Sequence, residues 1–394
     1  MRCRSYLVRG GVATHGPGGQ KGGTMRVRWL RASVLLAIVV LLTGGCAPGP
    51  AAAPAPPAAS TPLASAPTAV PTPVRVRLAS QKVATDVALY LADERGYFRQ
   101  EGIDLEFVIF ANASEMIPAL ATGQIEASPI AANPAAWNAV ARGVAAKVVL
   151  DKGTFRPGHS DQALVVRKAV YDAGRGQRLE DLRGLTLAIT PPGKATTSAC
   201  ALSAALQRTT SLTLDDLTIQ PLPFPDQVPA LANGSVDAAM MAEPYMSHAL
   251  RQGSGVKVMG LDEMYPNFTI SALGFSSTFY ANRPAAKGFT RAYIRAIRDY
   301  LAAISGRAGE GARAQIDELI ARFTGIDLTT VRSMAPPGFS PNGLPNIDSM
   351  LYCYQLFREQ GLIPQPVAEE AFAALWGTEL VEEVLGEIGR VPEG

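Results

Sequence analysis

The chain has 394 residues, with 36 Lys+Arg against 34 Asp+Glu for a formal net charge of +2; 47% of its residues are apolar and only 4 are Cys. This balance excludes a disordered chain, a disulfide scaffold and a multi-span membrane protein, and the length suffices for two domains that each bury a core. A net charge this small does not argue for nucleic acid, whose binders concentrate basic residues.

In chain order, the first 73 residues contain no Asp or Glu and read as processing sequence. From Met25 a basic stretch (Arg26, Arg28, Arg31) precedes an apolar run of 11 residues, 32–42, and then Leu42-Thr43-Gly44-Gly45-Cys46. That run suits a signal-peptide core and is too short to span a bilayer. Small residues before a Cys resemble the bacterial lipoprotein signal, with Thr43 where Leu is usual, so Cys46 is the expected lipidation site. Met25 reads as the true start, with residues 1–24 a mis-assigned leader. Residues 47–73 hold 9 Pro and 10 Ala among 27 and carry no charge, which makes them an extended tether. The resulting division is 1–45 leader and signal peptide, 46–73 lipidated Cys and linker, and 74–394 functional part.

Residues 118–127 (PALATGQIEA) and 229–238 (PALANGSVDA) match at six of ten positions, 111 residues apart. Each copy reads as a helix end, a Gly suited to the left-handed position, and a short buried strand. Each strand is followed by an X-Pro pair, Asn133-Pro134 and Glu243-Pro244, a helix-start signal. Two related α/β lobes follow. Further strands are predicted over 74–79, 104–110, 144–150, 185–190, 218–221 and 256–259, with helices between, notably over 84–94, 196–207 and 244–252. Such alternation implies mostly parallel sheets. After Ser277 the pattern is helical, with Phe289, Tyr293, Ile297 and Leu301 forming one buried stripe.

In open α/β sheets ligands bind beyond the carboxyl ends of strands, against helix N-termini. Four turns qualify: Ser80 through Asp86, Ala131 through Ala135, Pro192 through Ser198, and Glu243-Pro244-Tyr245. Two from each lobe would line one cleft, suited to a small anion or a compact polar molecule. Each has a plainer reading: Lys194 as a solvated loop lysine, Thr196 and Thr197 as caps, Glu243 as a cap of its own helix, Trp137 as core. Lys152 lies just after a predicted strand.

Three segments carry a family resemblance. They are 93–106 (DERGYFRQEGIDLE), 179–190 (LEDLRGLTLAIT) with its Gly-containing turn, and 233–245 (NGSVDAAMMAEPY). Together they resemble the nitrate/sulfonate/taurine and thiamine-pyrimidine-precursor group of periplasmic solute-binding proteins, from about residue 74 to 305. The resemblance implies a two-lobed type II periplasmic-binding-protein fold, closing on its ligand and serving an ABC permease with its ATPase. It places lobe I at 74–168, lobe II at 169–268, the return to lobe I and C-terminal helices at 269–394, and hinge strands near 163–166 and 271–275. It implies ligand contacts from Gln81, Lys82, Thr85 and Asp86; Ala132, Asn133 and Ala135; Gly193, Lys194, Ala195, Thr196 and Thr197; and Glu243 and Tyr245.

An enzyme is not expected. Past the signal the chain has two His, His159 and His248, no His or Cys pair at zinc-ligand spacing, and no Gly-x-Ser-x-Gly turn. Gly193-Lys194 lacks the phosphate-loop pattern. Cys200 and Cys353 are either a disulfide or buried thiols. A monomer without cofactor or metal is expected, as an extracytoplasmic lipoprotein. The lysines and the Thr/Ser-rich helix start put a small organic anion first; Asp86, Glu243, Tyr245 and Trp137 favour a nitrogen heterocycle. Removing the 7 basic residues of 1–46 leaves 29 basic against 34 acidic, or −5, so any anion site must be local.

Overall fold

Residues 72–110 and 113–393 are described by a computed structural model. The expected leader, Cys46 and the linker up to residue 71 lie outside the described residues. Ten strands follow in the described chain: β1 (Val74–Ser80), β2 (Ile103–Ile109), β3 (Ala127–Ala131), β4 (Ala146–Phe155), β5 (Gln162–Arg167), β6 (Thr186–Ile189), β7 (Thr218–Pro221), β8 (Ala238–Ala242), β9 (Gly255–Gly260) and β10 (Phe268–Ser276). The first sheet has the order β2-β1-β3-β10-β4 and the second β7-β6-β8-β5-β9. Both lie in one compact unit, Thr68–Gly394.

The internal repeat is visible as structure. Helix Ala113–Ala121, Gly123 at φ +71°, β3 and helix Pro134–Ala141 make one copy. Helix Phe224–Asn233, Gly234 at φ +81°, β8 and helix Tyr245–Arg251 make the other. The positive φ at each Gly turns the chain from helix to strand at no steric cost.

The sheets are mixed rather than mostly parallel. β1 pairs parallel with β2 and β3, and β6 parallel with β7 and β8. β10 runs antiparallel between β3 and β4, and β5 antiparallel between β8 and β9. The chain passes between sheets twice, from β4 to β5 and from β9 to β10. The strand that completes each passage inserts against the local direction. The first passage, 156–161, lies upstream of the expected lobe boundary at residue 168, because β5 is already part of the second sheet.

The long helix Arg283–Ile304 buries Phe289, Tyr293 and Ile297 completely, but its last large buried side chain is Tyr300 and Leu301 is only half-buried. Four-residue spacing drifts by about 40° per step on a helix of 3.6 residues per turn, so a step of three restores the stripe.

The segment after this helix straps the second sheet on two flanks. Helix Leu328–Ser333 meets helix Tyr245–Arg251, where Arg251 donates to Ser333 Oγ at 2.6 Å and Thr330 Oγ1 at 3.2 Å. Helix Ile347–Glu359 packs on β10, on helix Pro134–Ala141 and on helix Thr197–Thr209. Cys353 in that helix is bonded to Cys200 across 153 residues of sequence, both fully buried. The disulfide ties a helix of the second lobe to one seated on the first.

Closing a loop of this length restricts the unfolded chain, and losing such a crosslink costs about 2–5 kcal/mol. The double variant C200S/C353S should therefore melt several degrees lower than the parent under non-reducing conditions. A melting temperature within one degree would show that the crosslink contributes nothing.

Candidate carboxylate-rich site where the lobes meet

After β1 the chain turns sharply, with Lys82 at φ +55°, a conformation rare for a side-chain-bearing residue. Ser80 Oγ holds the turn by accepting from Lys82 N–H at 3.0 Å and donating to Asp86 Oδ2 at 2.6 Å. Tyr90 also donates to Asp86 Oδ2, at 3.2 Å. Lys152, carried on β4, places its Nζ 2.7 Å from Asp86 Oδ1 and donates to Thr85 Oγ1 at 3.0 Å. Both members of this pair are buried. Both Asp86 oxygens and the ammonium are engaged, as a buried pair requires. The β1 turn is thereby fixed to the strand that leads into the first passage.

Asp161 ends that passage. Burial, then the negative charge of Glu243, push its carboxyl up to about 6; Lys152 opposes the shift. No side-chain hydrogen bond offsets the burial. Its backbone oxygen accepts from Glu243 N–H at 2.8 Å, which joins the passage to the end of β8. Glu243 accepts from Ser247 N–H at 3.0 Å and Ser247 Oγ at 2.9 Å, capping its own helix, and from Ala335 N–H at 3.3 Å. Burial raises its carboxyl as well. Beside Asp161, Gln162 Oε1 accepts from Ser198 Oγ at 2.7 Å, bringing the start of helix Thr197–Thr209 to the same place. Thr85 and Asp86 are thus held by Lys152, Asp161 feels both Lys152 and Glu243, and Lys257 is the cation that acts on Glu243.

Other expected ligand residues are engaged elsewhere. Lys194 pairs with Asp215, beside the edge strand β7. Gly193 lies at φ +76° with Ile219 and Pro221 where a Cβ would meet them, and Ala195 is half-buried in the same turn. Thr196 caps its helix by accepting from Ala199 N–H at 3.2 Å, while Thr197 is buried. Asn133 caps in the same way, accepting from Ala136 N–H at 2.9 Å. Ala132 is buried; Ala135, Gln81 and Lys82 are exposed. Tyr245 stacks on Phe224 at 6.2 Å.

Trp137 is core: it stacks on Phe372 at 5.8 Å and lies against Tyr354 and Trp376. The apolar cavity beside it, lined by Ile130, Ala132, Met350 and Leu375, is only about 20 Å³. That is about the room of one water molecule, with no polar lining to hold it.

The residue that sequence reasoning missed is Asp161. Its signal is an acid directly before a buried apolar run (163–166), a position where a charge has little access to water.

A carboxyl raised from about 3.9 when unfolded to about 6 when folded favours the protonated native state. The associated stability is present below pH 4 and is lost as pH rises through 6. D161N should remove this loss, flattening the stability profile between about pH 4 and 6 and raising stability at pH 7 by on the order of 2 kcal/mol. Asp151, also raised to about 6 by burial, keeps its own dependence in both proteins. Denaturant melts across that range measure the difference; parallel profiles would contradict the assignment.

A model of the NMT1-like family matches residues 69–308. No curated protein matches the sequence. The structure is similar to the alkanesulfonate-binding protein SsuA from Xanthomonas axonopodis pv. citri, at 21% identity over 78% of this chain and 99% of that one, with a TM-score of 0.58. It is similar to the periplasmic nitrate-binding protein NrtA from Synechocystis PCC 6803, at 13% identity over 80% and 89% of the two chains, with a TM-score of 0.64. The desulfurization enzyme DSZB is also similar, at 14% identity over 80% and 99%, with a TM-score of 0.52. The architecture is therefore the two-lobed type II periplasmic-binding fold that the sequence motifs imply. With more than half of its length matched by the family model, the chain belongs to the NMT1-like family.

Proposed function

We propose that this protein is the solute-binding component of an ABC importer, held at the outer face of the cell membrane by lipid on Cys46. It closes two lobes on a small polar ligand and presents it to a permease with its ATPase. Family membership and the fold support the binding role, and the signal-like residues before Cys46 support the anchor. A binding rather than catalytic role is favoured because Cys200 and Cys353, the cysteines of the described chain, are consumed in a disulfide and cannot serve as nucleophiles.

The ligand class rests on one observation: Asp161, buried and raised to about 6, lies beside a second raised carboxyl, Glu243, and near the Lys152–Asp86 pair. Asp86 already pairs with Lys152, so the burial of Asp161 is offset only in part, by the charge of Lys152 and a hydrogen bond from its own backbone. A ligand that donates N–H groups or carries positive charge, such as an amine or a nitrogen heterocycle of the thiamine-precursor type, would offset that burial. A small organic anion is the second reading. It is favoured by the alkanesulfonate and nitrate specificities of the similar structures, but Lys194, its best cationic candidate, is paired with Asp215.

A thermal-shift series on the purified protein separates them, since a ligand at 100 times its Kd stabilises by about 2.7 kcal/mol. Aminopyrimidines and small amines should raise the melting temperature by several degrees, alkanesulfonates and nitrate should not, and D161N should abolish the shift. Stabilisation by the anions alone would overturn the amine and heterocycle assignment. If no small polar solute of either class stabilises the protein, the importer reading itself loses its support.

A further inference from the structure

A second cavity, of about 440 Å³, lies outside the carboxylate cluster. Its walls carry Arg156 and His159 from the first passage between the lobes, and Arg298 and Arg307 from the long helix and the turn beyond it. Opposite these four is one acid in the lining, Glu393.

Glu393 occupies part of the cavity. Its carboxylate accepts from Arg156 Nη1 at 3.0 Å, from Asn342 Nδ2 at 2.7 Å and from Ser340 Oγ at 3.4 Å. Among the described residues, the two other arginines have no carboxylate partner. Arg298 donates only to neutral oxygens: Pro341 O at 3.2 Å, Asn342 Oδ1 at 3.3 Å and Gly389 O at 2.7 Å. Burial without a counter-charge pulls its guanidinium below the usual value. Arg307, which is exposed, donates to Ser305 Oγ at 3.0 Å. The cavity therefore contains a built carboxylate seat, filled from within the chain, next to two guanidiniums with no carboxylate partner among the described residues.

We propose that this cavity is a second ligand site, for a small polycarboxylate. One carboxylate would take the seat at Arg156, Asn342 and Ser340 in place of Glu393, and another would reach Arg298 and Arg307. Guanidinium groups suit this chemistry because their paired N–H donors match a carboxylate's two oxygens. The volume suits a molecule of this size.

The site would act on the hinge. Arg156 and His159 exchange backbone hydrogen bonds, N–H to O at 3.3 Å and 2.7 Å, closing the passage into a tight turn. Two residues after His159, the same turn brings Asp161 against Glu243 at the end of β8. Gly338 presses against the turn so closely that a Cβ there would stand 2.9 Å from His159 O. An anion in the cavity holds one end of this turn and a cleft ligand the other, which is the arrangement two coupled sites need.

Calorimetric titration of the full chain with citrate, succinate and phosphate, each against NaCl at equal ionic strength, tests the assignment. Citrate should bind, with succinate weaker. E393Q, which removes the internal competitor, should tighten citrate several-fold, and R307Q should weaken it about tenfold. Both altered side chains are exposed, so neither variant threatens folding. Citrate binding no tighter than the salt control, binding unchanged in both variants, or binding of phosphate without any carboxylate would each overturn the proposal.

Discussion

The ammonium of Lys152 is the point at which the lobes' geometry is set. It is buried with Asp86 at 2.7 Å and also holds Thr85, so the turn after β1 cannot move independently of β4. A charge in that position is tolerated only because every polar atom around it is used: Ser80 and Tyr90 take the other oxygen of Asp86. β4 then runs directly into the passage that ends at Asp161. One interaction thus connects the first helix start, the edge strand β4 and the turn that follows it, and it leaves Asp161 without a side-chain ion pair of its own.

The two passages between sheets explain the rest of the topology. A chain that leaves one sheet and returns must insert a strand at each arrival, and both β5 and β10 run against their neighbours for that reason. The segment after residue 325 then straps the second lobe from both flanks, through Ser333 and Ala335 on one side and Cys353 on the other. These contacts tie the second lobe to elements packed on the first. The same constraint places the basic cavity and the carboxylate cluster at the two ends of one short turn.

Much of this was legible along the chain. Five of the six separately predicted strands form within a residue of their expected bounds, because each is a short run bracketed by turn residues, whereas β4 runs five residues past its expected end, through Asp151 and Lys152. The repeat located β3 and β8 through its Gly and its X-Pro pair. The stripe on the long helix failed only at Leu301, where a strict four-residue step outruns the helical period. The site was less legible. Turns were found by helix-start chemistry, but the orientation of Lys194 depends on Asp215, 21 residues away, and no local pattern encodes that pairing.

By itself the sequence determined what depends on neighbours in the chain: the α/β alternation, the duplicated unit, the glycines at left-handed positions and the family. Periodicity, capping and backbone restriction act over a few residues, so they can be read there. Tertiary structure alone decided which charges meet. Asp86 and Lys152 are 66 positions apart, Cys200 and Cys353 are 153 apart, and Arg156 and Glu393 are 237 apart. Whether a charge is compensated or left bare follows from burial and distance, and these exist only once the sheets have closed on one another.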